Sequence, residues 1–333
     1  MSGASDRSEP GASERWFRSL VMHISDTVSI TDEEGRLVFT SGAANNLLGY
    51  DAGFWAGREP IDLVHPDDLA RALAGWNRAL AEPGVEVSEE VRMRSANGAW
   101  QDISITGVNL LHDPEVGGIV VTSRNITDLR RAQRLAASQA AVLELIARSE
   151  PLPVVAASCL QLLADNGVSG RSSIYLMEGD RLELSSGAAP VSLVEWMREA
   201  PRSRSRSLCD ESIATEAPVI ASDLDQAEVS DGLRYIAQNE GIRAAWSQPI
   251  LAIGSGRPVG SLSTLYGEVH EPSAHERQAA DVSCSLMAIA LERAETETRL
   301  AHQALHDGLT GLPNRTLLLD RLSRKVERDG ESI

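Results

Sequence analysis

The chain has 333 residues, 42% of them hydrophobic, and a formal net charge of −17. That length holds roughly two domains, each with a core of its own. So acidic a surface repels a phosphate backbone and an anionic bilayer alike, and neither nucleic acid nor membrane is an expected partner.

No run of about 18 apolar residues occurs, and residues 1–15 lack the apolar centre of a signal peptide, which predicts a cytoplasmic protein. Residues 1–13 are Ser, Gly and charge without an apolar period and are expected to be a disordered tail. Residues 14–24 read as a short amphipathic helix with Trp16, Phe17, Leu20, Val21 and Ile24 on one side. Two β-patterned runs, 28–31 and 37–39, flank the turn Asp32-Glu33-Glu34-Gly35 and predict a hairpin. Segments 43–48 and 61–64 read as short helices. His65-Pro66-Asp67-Asp68 leads into a longer helix over 69–80, with Asp67 or Asp68 at its N-terminus.

Beyond Gly84 the pattern alternates. Val85, Val87, Glu89, Val91 and Met93 mark a strand, 95–98 a turn, 100–111 a second strand and 118–125 a third. Residues 128–149 then read as a helix with Leu129, Ala132, Ala136, Ala140, Leu143 and Ala147 on one side, widened by Val142 and Ile146. It enters the second half without a Gly/Ser tether, and such continuity transmits rotation.

The second half opens with a helix over 151–164 and a hairpin, 172–177 and 181–185, turned at 178–180. A helix over 193–200 carries Trp196, and residues 201–207 form an Arg/Ser loop. A strand at 218–222 and a helix at 232–239 follow. Strands 244–253 and 258–266 close the set, with Pro249 where no ladder donor is needed. From Ala280 onward, Ala280, Cys284, Met287, Leu291, Ala294, Thr298, Ala301 and Leu305 recur in alternating steps of four and three. Such a seam suits two supercoiled helices in a parallel homodimer; a single helix packed on its own domain is the alternative.

Cys159, Cys209 and Cys284 are odd in number and scattered, and offer neither a disulfide framework nor metal-ligand spacing. Catalytic motifs for nucleophilic hydrolysis, zinc proteolysis or phosphate-loop chemistry do not occur. Neither a catalytic nor a metal site is therefore expected.

The 13–131 segment resembles a PAS domain. The residues that carry this are the 32–35 hairpin turn, Asn45-Asn46-Leu47-Leu48-Gly49-Tyr50, His65-Pro66-Asp67-Asp68, the 94–100 turn and the exit over 119–128. The 135–297 segment resembles a GAF domain, through Trp246-Ser247-Gln248-Pro249-Ile250, the strand around Gly260 and Glu271-Pro272-Ser273. Ala304-Leu305-His306-Asp307-Gly308-Leu309-Thr310-Gly311-Leu312-Pro313-Asn314-Arg315 resembles the opening motif of GGDEF diguanylate cyclases.

These resemblances imply an α+β chain with two tandem mixed domains, PAS-like over 14–130 and GAF-like over 131–300. Each would have an antiparallel sheet with helices, and long signalling helices would join them. Residues 301–333 would begin a cyclase domain. Its Mg²⁺-binding Asp-x-Asp-x-Phe-Lys run and its Gly-Gly-Asp/Glu-Glu-Phe turn do not occur in 1–333. The expected role of this stretch is therefore sensory, as the regulatory part of a longer diguanylate cyclase or as a truncated product, with a ligand-free dimerisation scaffold as the alternative.

PAS domains bind haem, flavin, small acids or nothing. The absence of Cys from 13–131 disfavours a covalent flavin, and the edge or turn positions of His23, His65 and His112 disfavour haem. A non-covalent flavin or another small ligand stays open, with Asn45 and Trp55 near the expected cavity. In the GAF-like half, Trp196, Cys209, Ile220, Tyr235 and Trp246 are candidate cavity walls or ordinary core. No cyclic-nucleotide motif occurs there, and a bilin lacks a clear attachment residue.

Overall fold

The computed structural model describes residues 26–41, 47–55, 58–199 and 207–305, together with Leu312 and Asn314. The chain divides into two compact units, Met1–Ala132 and Gln133–Ile333.

In the first unit, β1 (Thr27–Thr31) and β2 (Leu37–Thr40) form the hairpin that the sequence predicts. Asp32 makes its turn: the Asp32 side-chain oxygen accepts from the backbone N–H groups of Glu34 and Arg36, and Gly35 takes φ +85°. A short polar side chain bonding its own turn, followed by a residue free of Cβ strain, is what makes such a sequence reverse direction. Single 3₁₀ turns at Ala52–Trp55, Pro60–Leu63 and Pro66–Asp68 lead into α1 (Leu69–Ala81). Strands β3 (Glu86–Arg94), β4 (Trp100–Leu110) and β5 (Gly118–Asn125) complete a wholly antiparallel sheet of order β2-β1-β5-β4-β3. Leu48, Trp55, Val91, Met93 and Ile103 form its core.

The start of α1 differs from expectation. Neither acidic residue caps the helix with its side chain; the His65 ring accepts from Asp67 N–H at the preceding turn, and Asp68 turns to Arg92 instead.

Helix α2 (Thr127–Ala147) contains the boundary between the units. The Asn125 side chain accepts from Thr127 N–H, and the Thr127 hydroxyl accepts from Asp102 N–H, which fixes where the helix starts. Its buried face is Leu135 with Val142 and Ile146, the two residues expected to widen the apolar side, and not the rest of the stripe read from the sequence. Leu129 is 57% exposed, and Ala132, Ala136, Ala140, Leu143 and Ala147 are exposed too. Both stripes fit a helical period, but burying three large aliphatic side chains removes more apolar area from water than burying alanines.

In the second unit, α3 (Leu152–Asp165) precedes β6 (Arg171–Glu178) and β7 (Arg181–Gly187). Then come α4 (Val191–Glu199), α5 (Leu208–Thr215), β8 (Val219–Ala221) and α6 (Asp231–Asn239). Strands β9 (Ala244–Leu251) and β10 (Pro258–Tyr266) and the long α7 (Ala274–Leu305) finish it. The sheet is antiparallel with order β7-β6-β10-β9-β8. No β8 residue pairs with Pro249, since the β8 ladder on β9 runs from Ala245 to Ser247.

Both faces of this sheet are covered. Trp246 and Ile250 of β9 pack with α2, α3 and α7, and Ala245 packs with α4, α5 and α6.

The first half of helix α7 packs on its own domain. Ala280, Cys284 and Met287 are buried in the unit's own core, and Leu291 packs against it. Cys284 and Met287 therefore do not form a helix–helix seam, because the sheet and α3 already cover them. Ala294 is half-buried, while Thr298, Ala301 and Leu305 are exposed.

Candidate functional site

The first unit holds a partly open cavity of about 270 Å³ between its sheet and α1. Alternation along the strands builds the sheet side: Thr27, Ser29 and Thr31 from β1, Ile105 and Gly107 from β4, and Ile119, Val121 and Ser123 from β5. Val87, Glu89, Val91 and Met93 of β3 line it as well, and Ala72, Gly75, Trp76 and Ala79 of α1 lie opposite.

Trp55 lines the cavity, as expected. It is held in an aromatic group in which the Tyr50 and Phe54 rings stack at 3.9 Å and Trp55 meets each of them edge-on, at 5.7 and 5.4 Å. Asn45 lies outside the described residues.

Three buried polar groups belong to this lining. Thr27, Thr31 and Trp55 are 3%, 4% and 5% exposed, and the two hydroxyls and the indole N–H have no hydrogen-bond partner among the described residues. A buried polar atom left unpaired costs about 1–3 kcal/mol, so three along one cavity need explaining. Ser29, between the two threonines, is satisfied by Thr40 at 3.0 Å.

An ion-pair network fastens α1 over the cavity. Arg92 on β3 binds Asp68 through its Nε and backbone N–H. Arg71 of α1 reaches Asp68 at 3.2 Å and Glu89 at 3.9 Å, and Arg78 of α1 also binds Glu89. The hydrogen bond from Arg92 is the main reason that the Asp68 carboxyl is lowered to about 2, against the opposing effect of burial. Gly75 makes room for Glu89: a Cβ there would stand 2.6 Å from Glu89 Cγ.

The candidates in the second unit do not converge. Tyr235 is 68% exposed and walls nothing. Trp246 is core on the α3/α7 face, whereas Cys209 Sγ lies 3.2 Å from Ser247 Oγ on the opposite face. Neighbours in a strand point to opposite sides, so Trp246 and Cys209 cannot share a cavity. Cys209 packs with Tyr175 and Leu182, and burial raises its thiol pKa, so it stays protonated and unreactive. Trp196 packs half-buried by α6, with its indole nitrogen where a Cβ on Gly232 would fall, and Ile220 packs partly buried against the α3/α7 core. Among the described residues no group of His, Cys, Asp and Glu could hold a metal ion, and no helix is long and apolar enough to cross a membrane.

Known families account for both units. Residues 22–120 match the family described as PAS fold, and residues 149–292 the family described as GAF domain. The chain carries a PAS domain followed by a GAF domain. Both are signal-sensing rather than catalytic domains.

The chain is 26% identical over 262 residues to the methyl sulfide methyltransferase-associated sensor of Methanosarcina acetivorans. That match covers 76% of this chain and 26% of the relative, so the chain spans about a quarter of that protein's length. Among solved structures it is similar to the chromophore-binding domain of a bacteriophytochrome from R. palustris, at 14% identity and a TM-score of 0.40 over 82% of this chain and 94% of that one. A domain of a sensor histidine kinase protein from Sinorhizobium meliloti is similar at 20% identity and a TM-score of 0.36, over 44% and 94% of the two chains.

The described lining of the PAS cavity is largely apolar, with hydroxyls and carboxylates among it. No His or Cys is among its described lining residues, so haem would find no axial ligand there. Its volume is about 270 Å³. A single-ring organic molecule fits in that space. Sequence reasoning missed Thr27, Thr31 and Glu89 as lining residues. The one signal present was three hydroxyls at every second position of β1.

Proposed function

We propose that this chain is the sensory region of a signalling protein in which the PAS cavity takes a small-molecule signal. The observation that carries the reading is the cavity whose lining includes the Thr27 and Thr31 hydroxyls and the Trp55 N–H, which have no hydrogen-bond partner among the described residues. Folded domains leave few buried polar groups unpaired, and a ligand supplies the missing partners.

The output under its control is of the diguanylate cyclase type, in cyclic di-GMP signalling. This rests on the resemblance of residues 304–315 to the opening motif of that family. The motif also meets the end of α7, where Asn314 donates its backbone N–H to the Leu305 carbonyl and its side-chain amide to the Ala304 carbonyl. The working form is a parallel homodimer, with Ala294, Thr298, Ala301 and Leu305 of α7 as the paired stretch. The mechanism is a population shift, in which ligand binding favours one pairing of the helices over another.

Native mass spectrometry of the purified chain tests the sensory reading: a mass beyond the polypeptide that is lost on denaturation supports it. A chain of bare polypeptide mass that takes up none of a panel of single-ring organic compounds overturns it and leaves a dimerisation scaffold. The gene sequence past the Ile333 codon tests the output, which requires the acidic and Gly-Gly motifs there.

A further inference from the structure

Resting on the reading of the PAS cavity as a ligand site, we infer that its ligand is an uncharged, largely apolar small molecule with a hydrogen-bond acceptor that the Trp55 indole N–H engages. The apolar character comes from Leu37, Ile61, Val91, Met93, Ile105 and Ile119, all of which line the cavity.

The charge follows from the ionisable residues that line it: Glu34, Glu59 and Glu89, with no Lys, Arg or His among the described lining residues. Glu89 is held by Arg71 and Arg78, and Glu59 lies 3.6 Å from Arg36. A carboxylate or phosphate ligand would be desolvated with no lining cation to receive it, since the nearby arginines are already paired with Glu59 and Glu89.

The acceptor follows from the indole, which only donates. An ammonium brings donors of its own and leaves that N–H unpaired. Threonine hydroxyls can donate or accept, so they do not discriminate in the same way. Thr27 and Thr31 line the cavity four residues apart along β1. At ~3.3 Å per residue they stand roughly 13 Å from each other, so a single-ring molecule bound at Trp55 meets at most one of them.

Three matched probes test this on the full chain by isothermal titration: acetophenone, ethylbenzene and benzoate. The indole N–H resonance of Trp55 is followed by NMR and assigned with Trp55→Phe. The expected order is acetophenone tightest, by about tenfold over ethylbenzene (~1.4 kcal/mol), with benzoate weakest. Acetophenone shifts the Trp55 N–H resonance.

Trp55→Phe is expected to erase the advantage of acetophenone while ethylbenzene binding changes less than about twofold. Thr27→Val and Thr31→Val, nearly the same shape, cover the case in which Trp55→Phe does not fold: one of the two reduces the same advantage. Equal binding of acetophenone and ethylbenzene, or benzoate binding tightest, overturns the inference and leaves the cavity a ligand site of another kind. Failure of every probe to bind or to move the Trp55 resonance overturns the ligand reading as well.

Discussion

Arg92 places two donors on one oxygen of Asp68: its Nε at 2.8 Å and its own backbone N–H at 2.9 Å. Asp68 is the last residue before α1 and Arg92 sits in β3, so this pair closes the helix onto the sheet at one side of the PAS cavity. Asp68 is buried and also receives Arg71. Charge-assisted hydrogen bonds to a buried carboxylate are worth about 1.5–3 kcal/mol, so Asp68→Ala should cost about 2 kcal/mol or more in urea unfolding at neutral pH.

The same carboxylate sets a pH dependence. Its folded-state pKa is lowered from 3.8 to about 2, chiefly by the side-chain hydrogen bond from Arg92. A group of that kind contributes stability that is present in full above its unfolded value and is lost as pH falls through the folded one. The difference in stability between wild type and Asp68→Asn should therefore hold from neutral pH down to the unfolded value and shrink between 3.8 and about 2. A difference that is flat across that window would remove Asp68 as its source.

Gly75 tests how tightly α1 is fitted to Glu89. Gly→Ala in a helix interior ordinarily gains about 1 kcal/mol. Here the new Cβ would meet Glu89 Cγ at 2.6 Å, so Glu89 has to leave Arg71 and Arg78. Gly75→Ala should be neutral or destabilising in the wild type, and stabilising by about 1 kcal/mol where Glu89 is already Ala. Additivity of the two substitutions would show that the contact is not felt.

Much of the architecture was readable because local chemistry and global fold agree. Asp32 and Gly35 make their turn from their own side-chain and backbone preferences. The strand from Gly118 to Asn125 has the predicted limits, and α1 ends one residue from its predicted end. The cavity was not readable, because β1 inverts the usual pattern. Thr27, Ser29 and Thr31 are buried while Val28 and Ile30 are only half-buried, and a hydroxyl row looks like a solvent face unless a cavity waits on that side. Trp246 and Cys209 failed as joint cavity walls for a related reason: composition says that both are buried, and only the strand register says that they face opposite ways. In α7, the period of Cys284 and Met287 is as compatible with a sheet beneath the helix as with a second helix beside it.

The start of α7 is pinned by a cluster around Glu276. Its carboxylate accepts from Ser273 N–H at 2.7 Å and lies 3.0 Å from His270 Nε2, and the His270 ring stacks on Tyr266 at 4.0 Å. Burial pushes the Glu276 carboxyl up, but the Ser273 backbone and hydroxyl and the nearby His270 outweigh it, and the net shift is downward. Its contribution is thus present above the unfolded glutamate value and lost as pH falls below it. Glu276→Gln should weaken the N-terminal turn of α7, read as hydrogen exchange about tenfold faster there at neutral pH, for a loss of ~1.4 kcal/mol. The difference from wild type should fade in acid.

Helix α7 divides into a part that holds the GAF domain together and a part free to meet a partner, and substitutions should separate the two. Met287 is fully buried in the core, so Met287→Ala should cost about 2–5 kcal/mol of stability. It should leave the oligomeric state of the surviving folded protein unchanged. Leu305 is exposed, and Ala301 is exposed one turn earlier. Leu305→Glu together with Ala301→Glu should leave thermal unfolding of the GAF domain within about 0.5 kcal/mol of wild type. In the proposed parallel pair, however, each charge would face its own copy across the seam, and like charges there disfavour association. Sedimentation equilibrium should then show dimer for the wild type and Met287→Ala, and a shift toward monomer for the double substitution. A wild type that is monomeric at every workable concentration, or a doubly substituted chain that dimerises as well as wild type, removes the end of α7 as the contact.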